Sequence, residues 1–448
     1  MKKDILIVCG FIILIMILYY LNNNLKYGDL NHDMKYIVSN IDENDKMTIQ
    51  IRINVGSRDE DKSVSGISHL LEHMFFQGSK KYPSSKDIQQ SIYECGGIFN
   101  AATDMNKTIY YIKASNSCIE ESLDIISDSL YNSLFDETKL ENEKKVVINE
   151  LNDMLSKPKA LSSLGLQEIM FKNTRLEKNI AGDIESIKNI TTDMLKNYIN
   201  TYYKNNIIVS LTSPLNVNEG YELIEKYFNK LPQYEVKNIP NIIKDKKRIF
   251  YPDILFKKTA KSIKYIKDDS EQSFITMSFP SFKYKEYHKN YYMIIISEIL
   301  TGWKQSKLYK ILREDYGLLY SIKSGNVSFE DLGYFYIKFS TKNNKEIVNR
   351  CINLILDTLF NLYKNITKEE FHSSKSHMIE NIKLKKDSPY YLNSLYTRDF
   401  YYLDKIFTLD DKIKTIEKIQ LKNLKNISEE VFKKELYCIS YTGLDKYL

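Results

Sequence analysis

The chain has 448 residues, 43% of them hydrophobic and 27% charged, proportions that exclude a disordered polymer and ask for more than one ordinary core. Its 64 basic and 58 acidic residues leave a formal net charge of +6, too diluted to mark a nucleic-acid binder, and lysine runs such as Lys244, Lys246 and Lys247 read as solvated faces. Five cysteines, Cys9, Cys95, Cys118, Cys351 and Cys438, form no C-x-x-C pair. They are expected as buried small residues and not as a disulfide framework or a thiolate metal site.

In chain order, Lys2 and Lys3 precede an uncharged apolar run from Ile5 to Leu21, enough for one membrane span with the body of the protein on the far side. Asn22, Asn23, Asn24 and Leu25 follow with no small-x-small cleavage pattern, which favours an uncleaved anchor in 1–30 over a removed signal peptide. From Met47 to Val55, Ile49, Ile51, Ile53 and Val55 alternate with Thr48, Gln50, Arg52 and Asn54, predicting a half-buried antiparallel strand. Apolar positions 67, 70, 71, 74 and 75 recur at helical spacing with Gly78 as a stop, so Ile67 to Phe76 reads as a short amphipathic helix. A strand at Thr108 to Lys113 and a long helix from Glu137 to Leu155 follow. About 225 residues later the order returns as strand Ser273 to Phe279, helix Asn290 to Leu300 and strand Tyr334 to Ser340. The segment Tyr111-Ile112-Lys113-Ala114-Ser115 is echoed by Tyr336-Ile337-Lys338-Phe339-Ser340. The expected fold is therefore α+β, with two homologous domains at 31–235 and 251–448 and a polar linker at 236–250.

The chemistry concentrates in His69-Leu70-Leu71-Glu72-His73. Residues four apart share a helix face, so His69 and His73 can offer two imidazoles to one metal ion. Glu72 sits where its carboxylate can reach a water on that metal, and H-x-x-E-H is a zinc-protease signature. The same pattern also describes a helix with two satisfied histidines, but only six histidines exist in the chain and two stand here at ligand spacing. A catalytic zinc takes three protein ligands and keeps a fourth position open. On the long helix, Glu143 and Glu150 share a face with Val147 and Met154, so either carboxylate could complete the set; without a metal this is a Glu-rich solvated helix.

The segment from Gly66 to Phe76, with Gly78, resembles the insulinase and pitrilysin family, which includes mitochondrial processing peptidase. The resemblance runs from about Lys35 to the C-terminus. It implies that the third ligand is Glu150, 77 positions past His73 (150 − 73), and that Glu143, the acidic residue seven before it, supports the site from behind. Gly96-Gly97-Ile98-Phe99-Asn100-Ala101 is similar to the family's glycine turn and substrate-binding edge strand, which implies that Asn100 and Ala101 contact bound peptide. Arg313 and Tyr320 match a pair that in the family reaches the active site from the second domain, where they would stabilise a developing oxyanion.

Taken together, the resemblance implies a zinc-dependent endopeptidase with one Zn2+ per chain and Glu72 as general base, acting on peptides or unfolded polypeptide. Each domain is expected as a mostly antiparallel sheet with helices packed on it, the two forming a clam-shell chamber. The second domain carries Ile294 to Glu298 where the first has the motif and is expected to bind no metal. The N-terminal lysines and apolar run, and not the resemblance, give the expected location: single-pass in a membrane with the catalytic body on the non-cytoplasmic side, or secreted or periplasmic if the leader is cleaved. A homo- or heterodimer is compatible with the length, and no nucleic-acid partner is expected. The competing readings are a non-catalytic scaffold or substrate-binding subunit of the same fold, which the complete ligand set argues against, and a zinc hydrolase for a non-peptide bond, which the Asn100 strand and the Arg313 and Tyr320 pair disfavour.

Overall fold

The strand alternation at 47–55 becomes the centre of a six-stranded sheet in the computed structural model, which describes residues 24–42, 44–237, 248–252, 254 and 262–448. Its strands are β1 (Leu25–Leu30), β2 (Met34–Asn40), β3 (Lys46–Ile53), β4 (Ile98–Thr103), β5 (Thr108–Ser115) and β6 (Ile207–Ser213). Their spatial order is β1-β2-β6-β3-β5-β4, antiparallel except where β2 meets β6. A second sheet holds β7 (Ser262–Lys267), β8 (Gln272–Ser281), β9 (Leu319–Ser328), β10 (Gly333–Lys342) and β11 (Cys438–Gly443) in the order β7-β11-β8-β10-β9. Only the β7–β11 pair is parallel.

Leaving β1 aside, the two sheets share one topology. In each, the first strand lies beside the last, the last beside the second, the second beside the fourth and the fourth beside the third. The echoed segments around Tyr111 and Tyr336 fall on β5 and β10, the equivalent fourth strands. The helices that bear on function are α1 (Ile67–Phe75), α2 (Ser85–Glu94), α3 (Ile119–Tyr131), α4 (Glu137–Leu155), α5 (Pro158–Met170), α6 (Tyr287–Thr301) and α7 (Pro389–Leu403). In chain order, α1 and α6 follow equivalent strands, β3 and β8.

Two compact units emerge, and they are interleaved along the chain. One draws on Met1–Lys145, Ile180–Lys247 and Lys385–Tyr401, the other on Val146–Asn179, Arg248–Leu384 and Tyr402–Leu448. The stretch 385–401 thus brings α7 to the first sheet, and 146–179 brings α5 to the second. This exchange corrects the half-buried reading of β3, because Thr48, Gln50 and Arg52 are as buried as Ile49, Ile51 and Ile53. Burial of polar groups demands partners, and α7 provides them. Gln50 Nε2 donates to Thr397 Oγ1 at 3.1 Å, Asn393 Nδ2 donates to the carbonyls of Thr48 and Ser210, and the Arg52 guanidinium lies 4.8 Å from the Tyr401 ring centre. In the second unit, Ser162 of α5 bonds Thr276 Oγ1 and the Ser440 carbonyl. A Cβ at Gly165 would crowd the Ser440 hydroxyl and the Ile266 side chain, so the glycine lets the helix lie close on that sheet.

The apolar run from Ile5 to Leu21 and most of the 236–250 linker lie outside the described residues. No helix among the described residues is long and apolar enough to cross a membrane.

Candidate metal centre

The motif helix α1 starts at Gly66, whose φ of 91° is left-handed and whose Cβ, if present, would press on the Ala181 carbonyl. Glycine is required there. Its first amides are held by one buried carboxylate, since Glu60 Oε2 accepts from Gly66 N at 2.7 Å and Oε1 from Ser68 N at 2.9 Å. That arrangement answers the unpaired donors of a helix N-terminus. Burial pushes the Glu60 carboxyl up to about 8 against the pull of those two amide bonds. Leu70, Leu71, Met74 and Phe75 anchor the helix in the core, with Phe75 stacked 3.6 Å from Tyr110, and this leaves His69, Glu72 and His73 half-buried on the opposite side.

His69, His73 and Glu150 each present a ligand atom within 4.8 Å of the others. The imidazoles sit edge to face with centres 4.7 Å apart. His73 Nδ1 lies 3.0 Å from Glu143 Oε2, and Glu143 Oε1 accepts from Gln77 Nε2 at 2.8 Å. A carboxylate that orients a ligating histidine in this way is the usual outer support of a zinc site. One turn earlier on α4, Lys139 Nζ donates to the Gln77 carbonyl at 2.6 Å and to the Pro83 carbonyl, pinning the end of the motif segment to the same helix. Two neutral imidazoles and a carboxylate with supported geometry fit a zinc ion.

Glu72 is placed beside this cluster and outside it. Its Oε2 accepts from Thr103 Oγ1 at 2.6 Å and lies 3.3 Å from His69 Nδ1. Burial alone would raise its carboxyl, but the bonds from His69 and Thr103 and the charges of both imidazoles outweigh that and hold it below the ordinary glutamate range. Thr103 ends β4, the edge strand of the first sheet, so the strand and Glu72 are linked directly. A cavity of about 310 Å³ opens between them, lined by Glu72, His73, Phe76, Gln77, Phe99 and Ala101 among others. Asn100 borders the same cavity, and its Oδ1 accepts from the Ala101 amide at 2.8 Å. Sequence reasoning missed the contacts of Thr103, Gln77 and Glu60; a hydroxyl, an amide or a lone carboxyl side chain announces nothing until the fold supplies its neighbour.

The cysteine expectation is overturned in part, because Cys95 and Cys118 form a disulfide with Cα atoms 5.9 Å apart. Cys95 caps α2 and Cys118 precedes α3, while the β4–β5 hairpin between them returns the chain to its starting point. No local spacing reveals such a pair. Cys351 is a free buried thiol and Cys438 is half-buried, whereas Cys9 lies outside the described residues. Closing a loop over a sequence separation of 23 corresponds to about 3 kcal/mol in the chain-entropy account. Reduction, or the Cys95→Ser variant, is expected to lower the urea midpoint accordingly; an unchanged midpoint would refute the pairing.

In the second unit, Arg313 sits on a π-helical turn at Lys310–Asp315, a geometry enriched at functional sites. Its Nη1 donates to the carbonyls of Leu319 at 2.6 Å and Tyr320 at 3.1 Å, and the Tyr320 side chain is 56% exposed. The two residues predicted as a pair are thus tied together through the start of β9.

Comparison with known proteins identifies the family. The model of the insulinase family of peptidases, family M16, matches residues 36–184, and the model described as the M16 inactive domain matches 189–378. The chain belongs to the insulinase (M16) family. It is 29% identical over 402 residues to the uncharacterized zinc protease YmxG of Bacillus subtilis, covering 89% of this chain and 93% of that one. It is 32% identical over 182 residues to the mitochondrial-processing peptidase subunit beta of Rattus norvegicus, covering 40% of this chain and 37% of that subunit. Among solved structures, a protease from Helicobacter pylori superposes with a TM-score of 0.82 at 20% identity, over 94% of this chain and 99% of that one, a likeness of fold.

Proposed function

We propose that the chain is a zinc-dependent endopeptidase acting on peptides or unfolded polypeptide segments. The observation that carries this reading is the convergence of His69, His73 and Glu150 within 4.8 Å, with Glu72 beside them and an open edge strand adjacent. A zinc ion held there would polarise the scissile carbonyl and acidify the attacking water. Glu72 takes the proton of that water and returns it to the leaving amine. An extended substrate pairs with the free edge of β4, so its main chain gives affinity and the neighbouring cavity gives side-chain preference. For that pairing the Asn100 carboxamide must release the Ala101 amide. The reading is tested by measuring zinc content together with cleavage of a quenched peptide library; a zinc-loaded chain that cleaves no peptide would favour the scaffold reading instead.

Arg313 and Tyr320 are assigned to the substrate carbonyl on the strength of the family resemblance. Tyr320→Phe removes one donor without touching the Arg313 bonds to backbone, and it is expected to lower kcat roughly tenfold or more with zinc retained. Unchanged kinetics would take the pair out of the mechanism. The disulfide fits a catalytic body outside a reducing cytosol, with Ile5 to Leu21 as its membrane anchor. Release of the full-length chain into the supernatant by alkaline carbonate would count against that anchor.

A further inference from the structure

Two strand lysines of the second sheet and one from the helix on it meet at one place, with no acid to balance them among the described residues. Lys338 on β10 stands directly opposite Lys323 on β9, and Thr276 on β8 continues the same row. Lys159 reaches the row from α5, and with Ser321 and Phe339 these residues line a pocket of about 150 Å³. Like charges directly opposite each other destabilise an antiparallel pair. Lys338 is also half-buried, its Nζ donating to Ser163 Oγ at 3.0 Å. Burial first, then the charges of Lys323 and Lys159, pulls its ammonium below the ordinary lysine range. None of the three lysines has a carboxylate within 4.0 Å among the described residues, although nearby Lys264 pairs with Glu168 and Lys157 with Asp153. The lysines around the row are neutralised and the row itself is left cationic.

We infer that this pocket binds an oxyanion group, a carboxylate or a phosphate, between Lys338, Lys323 and Lys159. An anion there removes the repulsion of the opposed pair and gains charge-assisted hydrogen bonds, one of them from an ammonium that Ser163 already positions. The pocket has room for one such group and its adjoining atoms. Two sources offer that chemistry: inorganic phosphate, and the terminal carboxylate of a peptide.

The test is calorimetric titration of the full zinc-loaded chain at fixed ionic strength, with inorganic phosphate in one arm and, in the other, an acetylated dipeptide ending in a free carboxylate beside its amide. At least one oxyanion is expected to bind, the amide is expected not to, and Lys338→Met and Lys323→Met are each expected to weaken binding at least tenfold. Phosphate binding identifies a free-anion site, whereas binding of the acid dipeptide alone identifies a peptide terminus. Lys338→Met keeps the apolar stem and removes a desolvated charge, so its thermal midpoint should not fall, and Lys323→Met changes an exposed residue. Absence of binding in both arms, or binding that neither lysine variant alters, overturns the inference; the latter would place the anion at the metal instead. Neither arm reads peptide cleavage, so the outcome is separate from that of the peptidase reading.

Discussion

Glu72→Gln is expected to keep stoichiometric zinc and to lose peptide hydrolysis by at least about 10²-fold, the lower end of what general-base catalysis contributes. The larger end, about 10⁴-fold, is expected if the same carboxylate serves both proton steps. Geometry separates the two roles, since the three ligand atoms that converge belong to His69, His73 and Glu150, while Glu72 spends its Oε2 on Thr103 and His69 Nδ1. Glutamine is close in shape and can still accept from Thr103, so α1 should remain seated on Leu70, Leu71 and Met74, all buried. Metal content, thermal melting and single-turnover cleavage are compared for the two proteins. Parental cleavage with zinc in place would remove Glu72 as base, and loss of zinc would make it a ligand.

Much of this site is legible in the sequence because it is local. His69 and His73 share a face by helical geometry alone, and the α1 and α4 boundaries follow from apolar spacing and from Gly78. The third ligand is not local. Pattern alone leaves Glu143 and Glu150 equivalent; the family resemblance singles out Glu150, and the fold places Glu143 on His73 Nδ1 and Glu150 among the converging ligand atoms. What the sequence hides is every contact that depends on a distant segment. The polar side of β3 looks solvent-facing because nothing in its alternation announces that residues 389–403 will cover it. The Cys95–Cys118 bridge is hidden in the same way, since it exists only once the β4–β5 hairpin has closed. The duplication is legible in outline from the echo on β5 and β10, but the exchange of covering stretches between the two units is not. It is set by which surfaces match, and matching surfaces have no period.

Glu150→Gln is expected to weaken zinc binding by more than about 10²-fold, while Glu143→Gln should weaken it by about 10- to 10²-fold, the usual effect of an outer-shell partner. The difference follows from their positions on one helix. Glu150 offers an oxygen directly to the cluster, and an amide there is a poorer ligand that also removes the negative charge balancing the cation. Glu143 acts through His73, fixing its tautomer from 3.0 Å, and is itself steadied by Gln77; glutamine there can still offer an oxygen to the imidazole N–H, so orientation is loosened and not abolished. Competition of each apo-protein against a calibrated zinc chelator gives both affinities on one scale. Both variants are expected to melt within a few degrees of the parent apo-protein, because Glu150 is exposed and Val147 and Leu151, the buried residues of that turn, are unchanged. Should Glu150→Gln hold zinc as tightly as the parent while Glu143→Gln releases it, the third ligand is Glu143, and the carboxylate now assigned to orienting His73 binds the metal itself.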